Sequence, residues 1–217
     1  KVVHFEQVGQ LDKELNKPMT EDAVFRIYSM TKPIICVALM TLYEQGRFQL
    51  TDPVAKFIPA FNDLKVLECD EKGEAKEVDL ARPPTIRSLL THTSGLSYDF
   101  LEDFPVAELY RQAGILNNAE RTLEELVHEL SLLPLAFQPD SNWHYSLGID
   151  VAARLIEIIS GQALEQFLKE NIFDPLGMVD TGFFVDPEEQ YRIVAMYGLP
   201  DLCSPKMTMS KLFDAWS

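Results

Sequence analysis

Basic residues are scarce in this chain of 217 residues. Lys and Arg number 19 against 34 Asp and Glu, a formal net charge of −15. Nucleic acids and anionic membrane surfaces are held by clusters of Lys and Arg. The sequence has no basic run, so neither partner class is expected. Cysteine is sparse too. Cys36, Cys69 and Cys203 are odd in number and widely spaced, which makes neither a disulfide framework nor a CxxC motif. That pattern favours a reducing, cytoplasmic setting. The histidines, His4, His92, His128 and His144, form no HExxH or HxH pattern, so no metal site is expected. No apolar run reaches the roughly 18–20 residues of a membrane span. The opening, Lys1-Val2-Val3-His4-Phe5, has no initiator Met and no signal-peptide pattern, and reads as the middle of something longer.

Hydrophobic residues make up 47% of the chain, enough for a packed core in one large domain. Residues 2–8 are rich in Val and Phe and predict a strand, and the alternation over 23–28 predicts a second short one. A helix is expected from near Ser29–Thr31, with Pro33 in its first turn and Gly46 as its stop. It is apolar nearly all round, which predicts a central, buried position. Cys69–Asp79 reads as an exposed hairpin or loop, and Thr85–Leu90 as a short helix. Thr122 and Glu125 form a capping box that opens a helix to about Leu132. Two more helices are expected over 148–160, with Gly161 as the stop, and over 163–172. A strand-like start and a helical middle predict an α+β arrangement, with about 52–140 forming a mostly helical lobe within one domain.

Three groups of residues could carry chemistry. In Ser29-x-x-Lys32, residues three apart on a helix share a face, so the lysine amine can reach the serine hydroxyl. A serine is a weak nucleophile until a neighbour takes its proton. Lysine can do so only when burial or nearby positive charge lowers its pKa. The Ser29 amide, near a helix N-terminus, is a candidate oxyanion donor. By spacing alone the pair reads more readily as a serine cap beside a solvated lysine. Tyr145, in Trp143-His144-Tyr145-Ser146-Leu147-Gly148, can shuttle a proton if its phenol lies near an ammonium, or can be an ordinary buried tyrosine. His92 invites a Ser-His-Asp triad with Ser29 or Ser94, but no GxSxG elbow supports it. A role in fixing the Thr91–Leu96 loop fits His92 better.

Four segments occur together in one order. They are Phe25–Pro33 (FRIYSMTKP), Leu89–Leu96 (LLTHTSGL), Trp143–Ser146 (WHYS) and Asp174–Met178 (DPLGM). In this the sequence resembles the serine β-lactamase-like hydrolases, and most of all the family VIII carboxylesterases among the class C β-lactamase-like proteins. The resemblance runs from about Val2 to Met178. It implies a β-lactamase/transpeptidase-like fold, an antiparallel sheet flanked by helices plus a helical lobe. It implies that Ser29 is the acylated nucleophile, Lys32 the base that activates it, and Tyr145 the proton shuttle. Tyr98 matches a position that lines the acyl pocket in similar esterases. No cofactor is implied; water suffices.

Two departures refine this. β-Lactamases and penicillin-binding relatives usually carry Tyr-x-Asn, and here the third position is Leu147. The resemblance then favours simple, short-chain carboxylic esters, with Leu147 as an apolar substrate-binding position that is cheap to desolvate. The family's third motif, of Lys-Thr-Gly, His-x-Gly or Trp-x-Gly type, has no match after Tyr145. In the family that strand supplies a second oxyanion donor, a contribution on the order of 2.7–4 kcal/mol. The chain therefore resembles the N-terminal and middle part of a longer enzyme, truncated at both ends. Other readings of the same residues are a β-lactamase or D-Ala-D-Ala peptidase, an acyltransferase, and a non-catalytic binding relative.

Overall fold

The computed structural model describes residues 2–69, 74–117, 120–198 and 210–213. Along the chain run β1 (Gln10–Asp12), β2 (Lys17–Pro18), α1 (Thr31–Glu44), β3 (Lys65–Cys69), β4 (Ala75–Asp79), α2 (Ile86–Leu90), α3 (Val106–Gln112), α4 (Leu123–Leu130), α5 (Gly148–Ser160), α6 (Leu164–Leu168), α7 (Asp174–Leu176), β5 (Met196–Gly198) and β6 (Ser210–Phe213). A π-helical turn, Lys169–Phe173, joins α6 to α7. The described strands pair as three two-stranded antiparallel sheets, β1–β2, β3–β4 and β5–β6. The chain divides into two compact units. One is Met30–Gly177; the other combines Lys1–Ser29 with Met178–Ser217.

The first unit is built on α5. Its apolar residues recur at helical spacing, and Ile149, Val151, Ala152, Leu155, Ile156 and Ile159 are all buried. Helices α1, α2, α4 and α6 pack against it. Each fully buried Leu or Ile contributes about 1.5–3 kcal/mol, so this helix contributes several such increments to the core. It stops at Gly161, whose φ of 75° is left-handed. At its start Gly148 lies so close to α2 that a Cβ there would sit 2.8 Å from the Leu89 carbonyl oxygen. The cap of α4 is the reciprocal one expected, Thr122 Oγ1 accepting from the Glu125 amide while the Glu125 carboxylate accepts from the Thr122 amide. Arg154 of α5 pairs at 2.9 Å with Glu124 of α4.

Five expectations from the sequence differ from the structure. Residues 2–8 form no strand; Val2, Val3, Phe5 and Val8 are exposed and pair with no described strand. A strand needs a partner, and apolar composition does not supply one. Over 23–28 only Val24 takes part in a bridge, parallel to Ile193. Helix α1 is not buried all round. It buries the stripe Ile35, Ala38, Leu39 and Leu42, and Val37 is 56% exposed. The helix begun by Thr122 ends at Leu130, and the segment after 163 passes from α into a π turn. The hairpin around Cys69–Asp79 is β3–β4, with exposed side chains on both strands; its turn and Cys203 lie outside the described residues.

In the second unit Val24 bridges the chain near Ile193, through Val24 N–H to the Arg192 carbonyl and Val194 N–H to the Val24 carbonyl, both 2.9 Å. Buried Arg192 pairs with Asp180 at 2.7 Å and Glu189 at 2.8 Å. No helix among the described residues is long and apolar enough to cross a membrane.

Truncating fully buried Leu155 to Ala is expected to destabilise the fold by about 2–5 kcal/mol through transfer loss and cavity. Gly148→Ala is expected to cost about 1–3 kcal/mol by overpacking against α2. Urea melts check both. Each predicts a lower midpoint at unchanged slope, and an unaltered midpoint for both would remove α5 from its central place.

Candidate active site

Ser29 lies in a 3₁₀ turn, Tyr28–Met30, that leads directly into α1, and it is exposed. The residue before it, Tyr28, has φ 42°, an uncommon conformation for a bulky side chain. Three residues on, Lys32 occupies the first turn of α1, where Pro33 fits because its missing N–H would have no helical partner.

The Lys32 side chain sits over two tyrosine rings. Its Nζ is 4.8 Å from the centroid of Tyr145 and 5.6 Å from that of Tyr98. The two rings stack at 5.5 Å with planes 29° apart, and Tyr98 stacks in turn on Phe100 at 4.8 Å. Cation–π contacts of this kind contribute about 0.5–2 kcal/mol. Burial works against the ammonium, but hydrogen bonds to the Tyr145 and Tyr98 hydroxyls more than offset it, and the Lys32 pKa stands above the ordinary lysine value. The Ser29-x-x-Lys32 spacing predicts a lysine left unprotonated by a lowered pKa, and the structure shows the opposite shift. In this arrangement Lys32 is an ammonium donating to two phenols. Burial raises the Tyr98 pKa, reinforced by the Asp150 charge and opposed by Lys32.

Two segments present the tyrosines. The one after α2 carries Tyr98, and the one before α5 carries Tyr145. Direct bonds knit them: His144 N–H to the His92 carbonyl at 2.9 Å, Leu147 N–H to the Ser97 carbonyl at 3.4 Å, and Ser97 Oγ with His144 Nε2 at 2.9 Å. The Thr91–Leu96 turn is anchored to a third segment, with Ala136 N–H donating to the Gly95 carbonyl at 2.6 Å and Asp140 N–H to the Thr93 carbonyl at 2.8 Å. Gly95 has φ 89°, and a Cβ there would lie 2.4 Å from the Phe137 carbonyl oxygen, so no other residue fits.

His92 stands behind Tyr145, ring centroids 4.9 Å apart, at φ 57°. Burial, the Lys32 charge and His144 all lower its pKa. Buried His144 is likewise lowered by burial, against the pull of Asp103, and packs edge-on to Phe104.

The structure thus gathers Lys32, Tyr98 and Tyr145, and places Ser29 in the turn that opens the helix bearing Lys32. Leu147 is 2% exposed and forms part of the core at the start of α5. Asp150, in the first turn of α5, was not singled out from sequence; burial raises its pKa and the Lys32 charge lowers it. Its five-residue offset from Tyr145 at a helix N-terminus was the available signal. The described residues hold no group of His, Cys, Asp and Glu side chains suited to a metal ion.

Known proteins resemble this chain over most of its length. Protein Rv1367c of Mycobacterium tuberculosis is 35% identical over 202 residues, covering 93% of this chain and 49% of the relative. Esterase EstB of Burkholderia gladioli is 34% identical over 197 residues, 89% of this chain and 47% of its own. The solved structure of EstCE1, described as a hydrolase with promiscuous acyltransferase activity, superposes with a TM-score of 0.72 at 31% identity, covering 87% of this chain and 46% of that one. The chain spans about half the length of the curated relatives it matches. The fold is therefore that of the β-lactamase/transpeptidase class, here with small antiparallel sheets among helices. A family model described as Beta-lactamase matches residues 1–209, and with that span the chain belongs to the beta-lactamase family.

Proposed function

We propose that this chain carries the nucleophile and proton-transfer groups of a serine carboxylesterase that works through an acyl-enzyme on Ser29. The observation that carries the reading is the Lys32 ammonium held over the stacked Tyr145 and Tyr98 rings, three residues after an exposed serine. The name of esterase EstB agrees with it. The substrate is a small carboxylic ester, short-chain by preference. Free thiols at Cys36 and Cys69 suit a reducing, cytoplasmic setting.

Ser29 Oγ attacks the ester carbonyl carbon, and its proton passes to the Lys32–Tyr145 pair. An ammonium beside a phenol favours the phenolate, so Lys32 serves while charged, and Tyr145 receives the proton. Collapse of the tetrahedral intermediate breaks the C–O bond, and the same proton leaves with the alcohol. Water then attacks the acyl-enzyme, gives its proton to Tyr145, and the acid departs as the proton returns to Ser29. The Ser29 amide, in the turn at the N-terminus of α1, is the proposed oxyanion donor on this chain. Tyr98 holds Lys32 and walls the acyl side. Leu147, buried at the start of α5, acts on substrate binding only indirectly, by packing the core behind the Tyr145 segment.

The acyl-enzyme is equally the intermediate of acyl transfer. The description of EstCE1 favours that as a second activity of the same site. An alcohol acceptor in place of water would yield a new ester without altering the first half-reaction.

Ser29→Ala is expected to lower turnover of p-nitrophenyl butyrate by about 10⁴-fold or more. Tyr145→Phe should lower it by about 10²–10⁴-fold. Full activity in Ser29→Ala would end the esterase reading, and nitrocefin turnover faster than ester turnover would replace it with a β-lactamase. Because the Lys32 pKa is raised, the pair is proton-loaded at neutral pH and its basic form grows as pH rises. kcat/KM should therefore climb on the alkaline side. A profile flat above pH 6 would contradict a Tyr145 phenol that must lose its proton before it can accept one from Ser29.

A further inference from the structure

The His92 ring has a geometry that the proposed chemistry does not use directly. The Ser146 backbone N–H donates to His92 Nδ1 at 3.3 Å. A backbone amide can only donate, so Nδ1 carries a lone pair and the ring is neutral, with its proton on Nε2. Ser146 Oγ lies 3.2 Å from the same Nδ1 and itself accepts from the Gly148 amide at 3.3 Å. Its own proton is therefore free to point at Nδ1. Two donors from the residue next to Tyr145 converge on one nitrogen. The other side of His92 is equally engaged. Its carbonyl accepts from His144 N–H at 2.9 Å, its ring packs on Tyr145 at 4.9 Å, and Trp143 meets it edge-on at 6.2 Å.

From this geometry we infer that His92, as a neutral acceptor for Ser146, is the positioning residue that sets Tyr145 beneath Lys32, and that its protonation withdraws Tyr145 from service. The inference rests on the esterase reading given above. Protonation puts an N–H where the Ser146 amide already points, so that bond is lost, the Ser146 hydroxyl must turn from donating to accepting, and a cation is added beside Lys32. The charged and titratable groups that bear on His92 are Lys32 from α1 and His144 and Tyr145 from the segment before α5; Asp140 binds the neighbouring Thr93 hydroxyl. Burial and the Lys32 charge hold its pKa below the ordinary 6.5. A base whose folded pKa is depressed contributes stability that is complete above the unfolded value. That stability is lost as pH falls from about 6.5 toward the folded pKa. The two effects coincide, so the Tyr145 segment loosens on the acid side.

Asparagine separates the acceptor from the proton. Its Oδ1 occupies the place of Nδ1, cannot be protonated in this range, and asparagine tolerates the left-handed φ of 57°. In the full chain, His92→Leu is expected to lower kcat by about 10²-fold with little change in KM. His92→Asn should recover at least about tenfold of that loss. On the acid side the parent kcat/KM should fall with two ionisations and His92→Asn with one. Long-range ¹H–¹⁵N spectra of the parent should show the Nε2–H tautomer of His92 near pH 8. A His92→Asn profile with the parent's acid limb, or an Nδ1–H tautomer, overturns the inference. So does a His92→Leu variant with the parent's kcat. Should His92→Leu fail to fold, the tautomer and the His92→Asn profile decide alone. Activity surviving in Ser29→Ala would strike down the esterase reading, while the tautomer still judges the His92 contact.

Discussion

A half-buried ammonium organises this molecule. Lys32 loses hydration in the first turn of α1, and two phenol hydroxyls and two ring faces replace what water supplied. Neither tyrosine can leave without stranding the charge, and a stranded charge in a desolvated place is expensive. The cation therefore ties α1 to the segment after α2 and to the segment before α5. Everything else in the Met30–Gly177 unit keeps those three pieces in register.

Two glycines and two histidines do that work. Gly95 lets one backbone approach another at a distance no Cβ permits, and Gly148 does the same between α5 and α2. His92 and His144 join the tyrosine-bearing segments through main-chain and ring contacts. Both histidines are disposed to stay neutral, which suits a place already holding one positive charge. The chemistry then follows from electrostatics more than from basicity. A lysine kept charged cannot itself be the main proton acceptor; in the proposed mechanism it raises the share of its phenol neighbour present as phenolate.

Much of the helical unit was legible in the sequence, for local reasons. The period of Ile149, Ala152, Leu155, Ile156 and Ile159, the Thr122 cap and the glycine stops each act within a turn or two of helix. Residues 2–8 misled because strand formation depends on a partner that composition cannot name. Helix α3 gave little signal, being seven residues long with Pro105 rather than a polar cap before it. The site divided along the same line. Ser29 and Lys32 sit three residues apart and could be paired on spacing, and Tyr145 and Tyr98 came through family likeness. The sign of the Lys32 shift was not legible, because it depends on two hydroxyls brought from distant segments. His92 was placed as a loop anchor, and the reach of its ring to Ser146, 54 residues away, belongs to the tertiary structure. Leu147 read as an apolar substrate-binding position, and the structure buries it in the core at the start of α5.

The central claim is that acyl groups are carried on Ser29. Intact mass of the full chain, quenched in acid within seconds of mixing with a slowly turned-over ester, tests it most directly. One added acyl group, mapped to the peptide that contains Ser29 and absent in Ser29→Ala, is the predicted result. An acyl group mapped to any other residue, or ester hydrolysis that proceeds with no covalent species under conditions where deacylation limits, would contradict it.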